Sequence, residues 1–142
     1  MEKIYNLFVP RLICEDLHNE MYQFVEGSEG WAYYDILGII FILICFVSAL
    51  FFYKIFDKAS GNRTTAWLTQ LIITAVINFA IAALWIHGRN GDPHNWDIET
   101  FFIFGFGIVN FTLAAVYFLI FSFIFKNISI NNIHTPFKFP NK

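Results

Sequence analysis

Three long stretches of the sequence contain almost no charged residues, and they constrain the fold more than any other feature. They cover residues 34–56, 66–86 and 101–125. A helix needs about 20 apolar residues to cross the roughly 30 Å of hydrocarbon in a bilayer. A chain of 142 residues is too short to cover three such helices with a water-soluble shell. We therefore predict an all-α integral membrane protein with three transmembrane helices.

Composition and charge agree with this class and exclude others. The chain is 57% hydrophobic and only 14% charged, which is far from the balance of a soluble domain. Its net charge of −2 and its lack of a Lys/Arg cluster argue against nucleic-acid binding. Cys14 and Cys45 are too far apart to form a CxxC metal or redox pair. The first apolar stretch begins too late and is too long for a signal peptide, so we expect it to remain as a membrane helix.

The distribution of basic residues predicts the orientation. Segments on the cytoplasmic side of a membrane are enriched in Lys and Arg. The first loop, residues 57–65, and the tail, residues 126–142, are basic, whereas residues 1–33 and the second loop, residues 87–100, are mostly acidic. We therefore expect an outside N-terminus and a cytoplasmic C-terminus in a plasma membrane or bacterial inner membrane. Aromatic rings then fall near both membrane surfaces: Trp31, Tyr33, Tyr34, Trp85 and Trp96 outside, and Tyr53 and Trp67 inside.

Small and polar residues recur at helical spacing within each apolar stretch, and such residues mark helix-packing faces in membranes. Asn78 and Asn110 fall at a similar depth, so we predict that their side chains interact. The alternative is that the same faces line a pore between several protomers. Gly105 and Gly107 indicate close helix packing or a local bend. The stripes consist of Gln70, Thr74, Asn78 and Ala82 in the second stretch, of Gly107, Asn110, Ala114 and Tyr117 in the third, and more weakly of Gly38, Cys45, Ser48 and Ala49 in the first.

The segments outside the membrane contain weaker signals. Residues 9–26 have the periodicity of an amphipathic helix, which we place on the extracytoplasmic side. The second loop contains candidate metal ligands, but their spacing is not diagnostic of a metal site. No nucleophile has both a base and an orienting group nearby in the sequence. We therefore expect no enzyme activity, no metal and no cofactor; the loop residues in question are His87, His94, Asp97 and Glu99.

The C-terminal tail alternates aromatic and polar residues between two prolines, which favours an extended segment. One interpretation is a tail that three lysines attract to anionic lipid. The other is a recognition segment in which two aromatic side chains dock on a cytoplasmic protein. The residues of the candidate docking segment are Pro136, Phe137, Lys138 and Phe139.

Together these features favour a non-catalytic membrane anchor or scaffold subunit whose cytoplasmic segments hold a partner protein. A secretion or defence assembly is one setting that would use such a subunit. The alternative is an oligomeric pore or ion channel lined by the polar stripes of the second and third helices. Because three helices make a small bundle, we expect a homo-oligomer or a larger membrane complex.

Overall fold

The computed structural model of the protein describes residues 32–55, 63–89 and 100–126. Within them the chain forms three α-helices, α1 (Tyr33–Ile55), α2 (Arg63–Arg89) and α3 (Thr100–Lys126). Each helix contains a stretch long and apolar enough to cross a membrane. The described part is therefore an all-helical bundle of three candidate membrane spans. The amphipathic helix predicted over residues 9–26 lies outside the described residues.

The helix ends extend beyond most of the apolar stretches. The second helix begins at Arg63 and ends at Arg89, three residues outside the predicted stretch at each end. Hydropathy marks the part of a helix that meets hydrocarbon, whereas backbone hydrogen bonding can continue into the interfacial region. At the start of α1, the carbonyl of Ala32 accepts hydrogen bonds from the amides of Asp35 (3.0 Å) and Ile36 (3.3 Å). The predicted end of the first stretch, Phe56, lies outside the described residues.

Side-chain contacts show how the helices run relative to one another. Ser48 of α1 meets Gln70 and Thr74 of α2, and Cys45, earlier in α1, meets Asn78, later in α2. These two helices are therefore antiparallel. Trp67, early in α2, contacts Ser122, late in α3, whereas Phe79, later in α2, lies against Gly107, earlier in α3. These helices are therefore antiparallel too. The most extensive packing is between α2 and α3, and the least is between α1 and α2.

The core has three layers along the bundle axis. The layer at the start of α1 contains bulky side chains, including Tyr34, Phe41 and Phe106. The layer at the end of α1 is also aromatic-rich, with Phe52, Trp67 and Phe118. Between them lies a central layer of small residues, which consists of Cys45, Ala75 and Ala114. Small side chains let the three backbones approach one another closely in this layer.

The exterior of all three helices is apolar. Leu84 of α2 is 68% exposed, and Phe101 of α3 is 72% exposed. Water would not tolerate so large a continuous apolar surface on a single small chain, whereas lipid would solvate it. This exterior supports an integral membrane protein. Other exposed apolar residues include Leu43, Val47 and Phe51 in α1, Ile72, Ile73, Val76 and Ile77 in α2, and Ile108, Val116 and Ile120 in α3.

Three aromatic residues assigned to the membrane surface are buried between helices. Tyr34, Tyr53 and Trp67 lie near helix ends, but each is at most 6% exposed. Tyr34 lies beside Phe106, with 6.5 Å between the ring centroids, and Trp67 lies 5.9 Å from Phe118. Because aromatic rings suit both membrane surfaces and helix packing, the residue type alone did not distinguish the two environments.

Candidate functional site

The polar side chains at the contacts between helices form the candidate site. Three of them make a closed hydrogen-bonded ring between α1 and α2. The side-chain amide Nε2 of Gln70 donates to Ser48 Oγ over 2.7 Å, and Thr74 Oγ1 donates to the main-chain carbonyl of Gln70 over 2.7 Å. The Ser48 and Thr74 hydroxyls also share a hydrogen bond. Since the Thr74 proton points to the main-chain carbonyl of Gln70, Ser48 is the donor in that bond.

Every hydroxyl in this Gln70–Ser48–Thr74 ring both donates and accepts a hydrogen bond. Chains of hydrogen bonds that run in one direction strengthen one another, and they do so most in a medium of low dielectric constant. Thr74 is buried, while Ser48 and Gln70 are partly exposed. Because Ser48 belongs to α1 and its two partners belong to α2, the ring joins these helices. They are the pair of helices that packs least extensively.

Asn78 lies one helical turn beyond Thr74 and is fully buried. Its amide nitrogen donates to the carbonyl of Thr74 over 2.9 Å and approaches Cys45 Sγ at 3.7 Å. The Cys45 thiol in turn donates to the carbonyl of Ala114 over 3.6 Å. Asn78 and Cys45 thus connect α2, α1 and α3 in the central layer. Asn78 Oδ1 has no hydrogen-bond partner within the described part of the chain.

Asn110 is also buried, but the predicted interaction with Asn78 is not a hydrogen bond in this structure. The amide nitrogen of Asn110 donates to the carbonyl of Phe106, four residues earlier in its own helix, over 2.9 Å. The hydrogen bonds of Asn78 run to Thr74 and Cys45 instead. The prediction used only the similar depth of the two asparagines along the membrane normal. Depth carries no information on how each helix is rotated about its axis.

Gly107 of α3 lies directly against the side chain of Phe79 in α2. A Cβ atom added to Gly107 would lie 2.7 and 2.8 Å from two carbons of the Phe79 ring. These distances are well below the roughly 3.5–4.0 Å of an ordinary carbon contact. Gly107 therefore has a packing role, since only a residue without a side chain leaves room for the Phe79 ring.

The sequence analysis missed the contact between Trp67 and Ser122. Trp67 Nε1 donates to Ser122 Oγ over 3.2 Å, and both residues are buried. A signal was present: Ser122 lies eight residues after Ala114, so it continues the inward face of α3 at four-residue spacing. This bond joins α2 to α3 in the core layer that also contains Phe52 and Phe118.

The remaining stripe residues also lie at interior or half-buried positions. Gly38, Ala49, Ala82 and Ala114 are buried, and Gly105 is buried beside Gly107. Tyr117 is partly buried and packs against the central layer. Thus the small and polar stripes of all three helices face the same interior.

Most residues of the candidate sites in the second loop and the tail lie outside the described residues. His87 is exposed near the end of α2, whereas His94, Asp97 and Glu99 lie outside the described residues. The candidate docking residues Pro136, Phe137, Lys138 and Phe139 lie outside them too. Among residues 32–55, 63–89 and 100–126, no group of three or more His, Cys, Asp or Glu side chains could hold a metal ion.

Comparison of the chain with protein-family models, with curated proteins and with solved structures finds no match. The functional interpretation therefore depends on the chemistry of the bundle. Its interior offers hydroxyl, amide and thiol groups that bond mainly to one another and to helix carbonyls. Groups arranged in this way hold helices together.

Proposed function

We propose that this protein is a non-catalytic membrane anchor or scaffold subunit with its N-terminus outside and its C-terminus in the cytoplasm. The observation that carries the proposal is the distribution of polar groups in the helices. Thr74, Asn78 and Asn110 are at most 1% exposed within a single chain, while the outer surface is apolar. A bundle of this kind is built to remain in lipid and to present its flanking segments at a fixed position.

The same observation favours an anchor over a pore lined by these residues. A lumen between protomers needs polar side chains on the outer surface of each bundle, where subunits meet around water. In this chain Thr74, Asn78 and Asn110 are buried inside one bundle, and Gln70, which is partly exposed, bonds to Ser48 of the same chain. The described spans also contain no charged residue near their centres, and intramembrane charges are the usual mark of an ion or proton path.

The proposal assigns partner binding to the cytoplasmic tail. Phe137 and Phe139 alternate with polar residues between Pro136 and Pro140. A segment that proline holds extended loses little entropy on docking, and two aromatic side chains bury much apolar area. In this account the tail recognises a soluble protein by its aromatic side chains, and the bundle holds that protein at the membrane.

Co-purification from the native membrane tests the proposal with two matched double variants. Phe137→Ala with Phe139→Ala should abolish recovery of the cytoplasmic partner. Lys138→Ala with Lys142→Ala, at neighbouring positions, should leave recovery nearly unchanged. Both variants should insert normally, because the three spans in the described part of the chain all precede the tail. Should the lysine variant be the one that loses the partner, with an effect that fades as salt rises, lipid attraction would replace docking. Unchanged recovery of the partner in both variants would show that the tail does not bind it.

A further inference from the structure

The thin contact between α1 and α2 leaves an open groove on the outside of the bundle. The groove has a volume of about 400 Å³ and is lined by Leu43, Ile44, Val47, Ser48, Phe51 and Gln70. Most of its lining is apolar, and Leu43, Val47 and Phe51 are exposed at four-residue spacing on one face of α1. The side chains of Ser48 and Gln70 supply its polar part.

Gln70 distinguishes this groove from the rest of the lipid-facing surface. Its amide nitrogen uses one hydrogen on Ser48, which leaves a second N–H. Within the described part of the chain, its Oε1 accepts no hydrogen bond. Gln70 lies six residues from the midpoint of the span Thr64–Gly88, or about 9 Å along the helix axis, which is inside the hydrocarbon. An acyl chain cannot supply the missing hydrogen bonds at that depth.

We propose that the groove is a self-association surface, in which the Gln70 side chains of two copies pair across a two-fold axis parallel to the membrane normal. Two copies inserted in the same orientation have Gln70 at the same depth. The carboxamide is also self-complementary: each can donate its second N–H to the Oε1 of the other while keeping its bond to Ser48. The apolar lining of the groove, with Val47 and Phe51, then packs against its counterpart. This surface is separate from the tail, so the proposed anchor function does not depend on it.

Energy transfer between full-length copies that carry a donor or an acceptor dye at the C-terminus tests the pairing in lipid vesicles. The wild-type protein should form dimers whose signal falls as lipid dilutes the protein. Gln70→Leu should raise the dimer dissociation constant about tenfold, because two interhelical hydrogen bonds are lost. Thr69→Leu changes a neighbouring exposed polar residue outside the groove, and it should leave the constant unchanged.

A second pair of variants keeps the test valid if Gln70→Leu disturbs folding. Val47→Trp fills the groove without altering the Gln70–Ser48–Thr74 ring, and it should weaken the dimer at least as much. Ile120→Trp places the same bulk on an exposed position of α3 and should have no effect. A wild-type protein that is monomeric at every dilution would overturn the proposal. A dimer dissociation constant in Val47→Trp equal to that of the wild type would also overturn it. If Ile120→Trp weakened the dimer as much as Val47→Trp, the association would belong to another face of the bundle, which would likewise overturn the proposal.

Discussion

Replacing Gly107 with alanine should test how closely α2 and α3 approach. The new Cβ atom would lie 2.7 Å from Phe79 Cε2, 2.8 Å from Cδ2 and 3.2 Å from Cζ. The ring must therefore move by almost 1 Å, or the helices must separate, before ordinary contact is restored. Overpacking of this kind costs about 1–3 kcal/mol. Phe79 is only partly buried, so it can move toward lipid, and we expect the cost to fall in the lower half of that range.

Alanine also has a higher helix propensity than glycine, and that gain would mask part of the clash. Gly88→Ala provides the control, since a Cβ atom added to Gly88 meets nothing within 4 Å. It should be neutral or stabilise by up to about 1 kcal/mol. Because Gly88 lies in the last turn of α2, it gains less from alanine than Gly107 does, so the difference between the two variants is a lower bound on the cost of the clash. Reversible unfolding in mixed detergent micelles, followed by circular dichroism, measures both free energies.

The identity of the clashing partner can be tested by making room for the new methyl group. Phe79→Leu shortens the side chain opposite Gly107, so the double variant should recover most of the free energy lost in Gly107→Ala. The two changes should therefore be strongly coupled in a double-mutant cycle. Equal free energies for Gly107→Ala and Gly88→Ala would refute the close approach. Additive effects of Gly107→Ala and Phe79→Leu would show that the clash is elsewhere.

Three further predictions concern the hydrogen bonds and the orientation. Thr74→Val and Ser48→Ala should each destabilise the bundle by about 0.6–1.7 kcal/mol. The double variant should lose clearly less than the sum, because both changes break the same hydrogen-bonded ring. Unfolding in mixed micelles measures these free energies, and additive losses would show that the ring is absent. Trp67→Phe should lower the free energy of unfolding by a similar amount in the wild type but by little in a Ser122→Ala background. An equal loss in both backgrounds would contradict the Trp67–Ser122 hydrogen bond. In a Cys14→Ser background, which removes the native cysteine expected outside, Ser28→Cys should react with an impermeant thiol reagent in intact cells, whereas Ser60→Cys and Thr135→Cys should not. Reaction at position 60 would mean the opposite orientation.

The three apolar stretches predicted the helices well, because the hydrocarbon thickness imposes a length and a lack of charge that are visible in the sequence. Helical periodicity also indicated inward faces: Thr74, Asn78, Asn110 and Ala114 lie in the interior. The partners of these residues could not be predicted in the same way. Periodicity gives the face of one helix, whereas the pairing of Asn78 with Cys45 depends on how two helices are rotated and shifted.

Side chains that suit two environments were the other source of difference. Trp67 has an apolar body and one N–H donor, so it satisfies a membrane surface or a buried site with an acceptor equally well. Only the position of Ser122 on a neighbouring helix decides between them. Likewise, the sequence pattern around Gly107 indicated close packing, but the aromatic ring that fills the space comes from another helix.

Access of water to the centre of the bundle tests the central claim most directly, namely that the polar stripes hold one chain together instead of lining an aqueous path. Asn78→Cys in a Cys14→Ser background can be exposed to a charged, water-soluble thiol reagent in reconstituted vesicles. Thr135→Cys serves as the reactive control, with detergent added to reach both sides of the membrane. The account predicts that the thiol at position 78 stays unmodified while the thiol at position 135 is labelled fully. Rapid modification at position 78 would contradict it, because it would place water beside a residue that the bundle buries completely.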